Sequence, residues 1–96
     1  MNRTIRRSSG NVFRDLGFDR REAQHLLVRS DLMNRLEHLI AARGLTQQAA
    51  AKLLGVSQPR ISDLVRGRID RFSADTLIEM LGRAGVPVRV TTGKVA

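Results

Sequence analysis

Residues 47–66 read QQAAAKLLGVSQPRISDLVR, and this stretch decides the fold. Two short helical patterns meet at Gly55-Val56-Ser57. A helix-turn-helix needs two helices crossing at a wide angle through a turn of about three or four residues. Ala51 is small where the first helix must let the second approach. Gly55 supplies the positive φ that the turn requires, and Val56 plugs the turn into the core. Ala50, Leu53 and Leu54 face inward from the first helix, and Ile61 and Leu64, three apart, from the second. An ordinary helical hairpin with a solvated outer face would not need all of these features at these offsets.

What remains on the second helix is Gln58, Pro59, Arg60, Ser62, Asp63 and Arg66. This face is exposed and mostly able to hydrogen-bond, which is the chemistry of a helix that enters a DNA major groove.

Working outward, the chain punctuates itself. Thr46 caps a helix over 47–54, which Gly55 ends. Ser57 caps the next, 58–66, with Pro59 in a first turn where a missing N–H costs nothing. Gly67 ends it. Ser73 caps a helix over 74–84, with Asp75 near its positive end, and Gly85 and Pro87 stop it. Val86-Pro87-Val88-Arg89-Val90-Thr91 alternates like a half-buried strand, confined by its proline to an edge or a strand start. Upstream, Asp19 and Glu22 have capping-box spacing. The apolar stripe Ala23, Leu26, Leu27, Leu32, Met33, Leu36, Leu39, Ile40 slips near Arg29-Ser30-Asp31. Two readings stand there: one helix over 19–43, or two with Ser30 as a second cap. Gly44 closes the segment. Residues 1–18 read as a basic arm, with Val12, Phe13 and Leu16 the first to dock. Residues 19–91 form the domain and 92–96 a frayed tail. The expected class is all-α, with a basic N-terminal arm and a short C-terminal strand.

Composition narrows the partners. The 96 residues make one small domain and carry a net charge of +8, from 17 Lys plus Arg against 9 Asp plus Glu. Fifteen of the basic residues are Arg, whose planar fork suits phosphate and base edges, so a polyanionic partner is expected. With no Cys there is no disulfide, zinc finger or thiol nucleophile. With no Trp or Tyr and only three Phe, stacking platforms for single strands are excluded. No apolar run spans a membrane and no signal-peptide pattern opens the chain, so the expected place is the cytoplasm, on the nucleoid when DNA is bound. His25 and His38 lie apart and lack companions at ligand spacing, so no metal or other cofactor is expected. Ser57 and Ser62 have no base beside them, and no paired carboxylates, phosphate loop or triad is present. No catalytic residue is assigned and an enzyme is not expected.

Leu45–Gly67, L-T-Q-Q-A-A-A-x-L-L-G-V-S-Q-P-R-I-S-D-L-x-x-G, resembles the Xre-type helix-turn-helix family of lambda-repressor and Cro-like proteins. Ser9-Gly10-Asn11-Val12-Phe13-x-Asp15-Leu16-Gly17-Phe18 and Phe72-Ser73-x-Asp75-Thr76-Leu77 are similar to a short branch of Xre regulators and HigA-type antitoxins. The resemblance implies a lambda-repressor-like domain that binds double-stranded operator DNA as a dimer. By that pattern Gln47 contacts a phosphate at a helix N-terminus, and Gln58 takes the place of a base-reading Gln that can bond bidentately to adenine. Pro59, Arg60 and Asp63 occupy further groove-facing positions: Pro59 for a thymine methyl or nothing, Arg60 for guanine, and Asp63 for cytosine or a pair with Arg60 or Arg66. Ser57 and Ser62 join the phosphate contacts.

Arg66, Arg68 and Arg71 flank the end of that helix and are expected to clamp phosphate. Arg3, Arg6 and Arg7 either enter an adjacent minor groove or add non-specific attraction. A homodimer is expected through Leu77, Leu81, Val86, Val88 and Val90, because an edge strand can pair with its twin. Two functions follow and can coexist: a dimeric repressor of its own promoter, and an antitoxin that neutralises a small toxin protein through surfaces outside 47–66.

Overall fold

The computed structural model describes residues 12–93. These form five α-helices, α1 (Val12–Asp15), α2 (Arg20–Ala42), α3 (Gln47–Leu54), α4 (Gln58–Val65) and α5 (Ala74–Arg83), with a 3-10 turn at Ile69–Arg71 before α5. Each of the four longer helices starts where a short oxygen-bearing side chain accepts an N–H of the first turn. Asp19 caps α2 from the Glu22 N–H, Thr46 caps α3 from Ala49, Ser57 caps α4 from Arg60, and Ser73 caps α5 from Thr76. Each such cap is worth about 1 kcal/mol against alanine.

Residues 20–42 form one helix, so Ser30 is an interior residue and not a second cap. The stripe slips there because Ser30, a short polar residue, takes a half-buried position between Leu27 and Met33. Met33, Leu36 and Ile40 then join Ala50, Ala51, Leu54, Ile61, Leu64, Phe72, Leu77, Met80, Leu81 and Ala84 in a single core. Leu53 and Val56 pack against its edge.

Two expectations are corrected. The first concerns residues 12–18, which the sequence groups with the basic arm. Val12–Asp15 is a helical turn against α2, and the Phe18 N–H donates to the Phe13 carbonyl at 3.1 Å. The Phe13 and Phe18 rings meet edge to face at 6.3 Å, an arrangement that favours aromatic pairs. Phe13 is the residue that docks, whereas Val12 and Leu16 remain 55% and 69% exposed. The arm residues Arg3, Arg6 and Arg7 lie outside the described residues.

The second is the C-terminal strand. No residue from 86 to 93 is in a strand. Instead the Val86 N–H donates to the Leu81 carbonyl at 2.9 Å and the Gly85 N–H to Gly82 at 3.0 Å. These two bonds close α5 in a Schellman motif. The alternation survives in the side chains, with Val86 and Val88 half-buried on the core and Pro87 and Arg89 exposed. Alternation reports one-sided burial. A strand also needs a backbone partner, and the described part of this chain offers none.

Candidate nucleic-acid interface

α3 and α4 are each eight residues long and stand at the turn Gly55-Val56-Ser57. Gly55 has φ 71° and ψ 33°, the left-handed conformation, and its N–H bonds back to the Ala51 carbonyl. A Cβ built on Gly55 would lie 2.7 Å from Arg83 Nε, so the α5 side chain passes directly over the turn. Val56 is half-buried and its N–H also reaches Ala51 O, at 3.1 Å. Local backbone preference and tertiary packing therefore fix the same turn.

Ile61 and Leu64 are fully buried, which sets the rotation of α4. That rotation leaves Gln58, Pro59, Val65 and the C-cap Arg66 exposed, and Arg60, Ser62 and Asp63 partly covered. Gln58 and Pro59 occupy the first turn of α4, where backbone N–H groups lack helical partners and the helix end is positive. Gln47 holds the same place on α3 and is also exposed. The Ser57 hydroxyl accepts the Arg60 N–H at 3.4 Å, which leaves its proton free to donate outward.

Arg60 and Asp63 have partners within the chain. Arg60 Nη1 donates to the Arg71 carbonyl at 2.7 Å, and its guanidinium lies 4.3 Å from the centroid of the Phe72 ring. Such a cation over an aromatic face contributes about 0.5–1 kcal/mol at exposed sites. Asp63 Oδ2 lies 3.5 Å from Arg71 Nη1, so its ion-pair partner is Arg71 and not Arg60 or Arg66. One helical turn of α4 thus grips one residue twice, Arg60 by its backbone and Asp63 by its side chain.

The turn at 69–72 is also held from the other side. Arg29 of α2 donates through Nη1 to the carbonyls of Ile69 and Phe72, at 3.3 and 3.4 Å. Sequence reasoning did not find this residue, because no local pattern links positions forty apart. Phe72 was legible only as part of a family-like segment. Its burial, at 2% exposure, under Arg60 gives that segment a physical role. Arg66 and Arg68 are exposed, and the Arg68 backbone is tied at both ends, its N–H donating to the Asp63 carbonyl and its carbonyl accepting the Arg71 N–H.

On α5, Leu77 and Leu81 belong to the chain's own core. They do not form an outward face. The apolar residues open around α5 and the following segment are Ile78, 37% exposed, and Val90, 76% exposed, beside half-buried Val86 and Val88. Among the described residues no group of three or more metal-binding side chains is brought together, and no helix is long and apolar enough to cross a membrane.

A helix-turn-helix domain family model matches residues 12–93, all of the described residues. A solved structure described as an XRE-family transcriptional regulator superposes with a TM-score of 0.72 at 28% identity, covering 77% of this chain and 83% of that one. No curated protein matches the chain. The turn at Gly55, the outward face of α4 and these two likenesses place the chain in the Xre-type helix-turn-helix family.

Proposed function

We propose that the chain is a sequence-specific regulator of transcription that binds double-stranded operator DNA. Its family is one of DNA-binding regulators and not of enzymes. The observation that carries the reading is the division of α4: Ile61 and Leu64 are sealed in the core while Gln58 and Pro59 stand exposed at its N-terminal end. Gln58 reads adenine through paired bonds to its N6 and N7, and Pro59 lies against a thymine methyl. Gln47, Ser57, Ser62, Arg66 and Arg68 hold phosphates and fix the register. The protein works as a homodimer on two half-sites about one helical turn apart, and represses its own promoter.

Fluorescence anisotropy on the chain's own promoter and on a scrambled duplex tests this. Wild type should prefer the promoter by at least about a thousandfold. Gln58→Ala should lose about 1–3 kcal/mol on the promoter and almost nothing on the scrambled duplex. Equal losses on both would remove Gln58 as a base reader.

A second role, neutralising a small toxin protein, is supported by a separate surface. Val12 and Leu16 present apolar side chains to solvent on and just beyond α1, outside the helix-turn-helix. Co-expression with the product of the neighbouring reading frame tests it. A complex that survives Gln58→Ala but is lost in Leu16→Asp supports this role, and absence of any complex removes it.

A further inference from the structure

Asp63 is the only acidic residue between Glu37 and Asp70, a span that holds Arg43, Lys52, Arg60, Arg66 and Arg68. It sits on α4, the helix that meets DNA in the reading above, on which this inference rests. A carboxylate aimed at the DNA backbone from there would repel phosphate whatever the sequence. Were it aimed at the groove, it would accept from cytosine and repay that repulsion at one base. The structure turns it elsewhere. Its Oδ2 lies 3.5 Å from Arg71 Nη1, and the Asp63 side chain is the more covered of the two. The Arg71 backbone is held beside α4, because its carbonyl is bound at 2.7 Å by Arg60 and the nearby carbonyls of Ile69 and Phe72 by Arg29.

We infer that Asp63 restrains the sequence-independent attraction to DNA through Arg71: it engages the Arg71 guanidinium and so competes with phosphate for it. Phosphate attraction is blind to sequence and supplies essentially all non-specific binding. Lowering that shared term weakens operator and random duplex alike and cancels in their ratio, so Asp63 leaves discrimination to the base contacts and limits how tightly the chain is held on non-operator DNA. Asp63 and Arg71 form an internal pair whose strength sets how much of the basic flank a random duplex can use.

A thermodynamic cycle in the full chain tests this, with a random-sequence duplex of about 20 base pairs, long enough for two half-sites. Asp63→Asn should bind that duplex about threefold to tenfold more tightly than wild type, with a salt dependence steeper by about one ion. Asp63→Ser should do the same, which removes any effect of the new amide on bases. In an Arg71→Gln background either substitution should change affinity by less than about twofold, since the group it releases is gone. Melting curves of all variants accompany the titrations. Unchanged or weaker random-duplex binding in both Asp63 variants overturns the inference. So does an equal gain with and without Arg71, which would make Asp63 a direct repeller of phosphate. If wild type binds duplex but Gln58→Ala lowers operator and random-duplex affinity equally, the base-reading assignment fails while this result stands on its own. A wild type that binds no duplex at low salt overturns both.

Discussion

Arg60 and Arg71 are joined at 2.7 Å, side-chain Nη1 to backbone carbonyl, and the same guanidinium covers the Phe72 ring. An arginine at this place on α4 reads as a contact to guanine, yet one end of its fork and its flat face are already engaged. To reach a base it must leave both. Arg60→Ala should therefore destabilise the fold by about 1–2 kcal/mol, as expected for one exposed hydrogen bond and one cation–π contact. Urea denaturation measures that loss. DNA binding should weaken on operator and random duplex together, because the turn that carries Arg68 and Arg71 is released. A fully stable Arg60→Ala that loses only operator affinity would return Arg60 to base reading.

Gly55 permits a prediction about the turn. At φ 71° any L side chain is strained, and a Cβ would also press on the Arg83 guanidinium. The second problem is mild, since Arg83 can swing away at the expense of a 3.8 Å surface pair with Glu79. The backbone cost remains. Gly55→Ala should lose about 1–2 kcal/mol, and adding Arg83→Ala should recover little of it. Recovery of most of the loss in calorimetric melts would show that crowding, and not φ, makes glycine necessary here.

Glu37 on α2 gives a pH dependence with a definite sign. Burial raises its pKa above the ordinary value of 4.5, because leaving water disfavours the carboxylate. The native state then binds its proton more tightly than the unfolded state. The resulting stability is fully present below the unfolded pKa and is lost as pH rises through the folded one. Glu37→Gln removes that loss. The variant should gain on wild type as pH rises from 4 to about 7, and thermal melts across that range should show the two curves diverging upward. Parallel curves would place Glu37 in water.

Much of this architecture was legible in residue types. The caps Asp19, Thr46, Ser57 and Ser73 each announce a helix start, and Gly55 with Ala51 and Val56 announces the turn, because these are local steric and hydrogen-bonding demands. What could not be read was anything set by residues far apart. The Arg29 bonds to Ile69 and Phe72, and the double grip of Arg60 and Asp63 on Arg71, depend on where α2 and the 69–72 turn meet. The Val86–Val88 alternation correctly gave the buried side and wrongly implied a strand, since period-two burial requires a core but no ladder. Leu77 and Leu81, expected at a partner's surface, lie in the core instead, where α2 and α3 pack against α5.

That reassignment sharpens the expectation of a homodimer. A single helix-turn-helix reads too few base pairs for useful discrimination, so two copies must be held at a fixed spacing. With Leu77 and Leu81 committed to the core, a contact on this side has Ile78, Val88 and Val90 to offer. The segment after Gly85 also carries backbone groups that no strand within the described chain pairs, and a twin could use them. Substitution of an exposed residue separates assembly from folding, which Leu77 could not do. Ile78→Asp should leave the melting of the monomer almost unchanged and abolish the dimer in sedimentation equilibrium. Operator affinity should fall steeply while random-duplex affinity falls little. A wild type that remains monomeric at tens of micromolar on its own and on its operator would leave the specificity to one copy. An Ile78→Asp dimer as tight as wild type would move the interface to another face, with the exposed Val12 and Leu16 beside α1 the next surface to substitute.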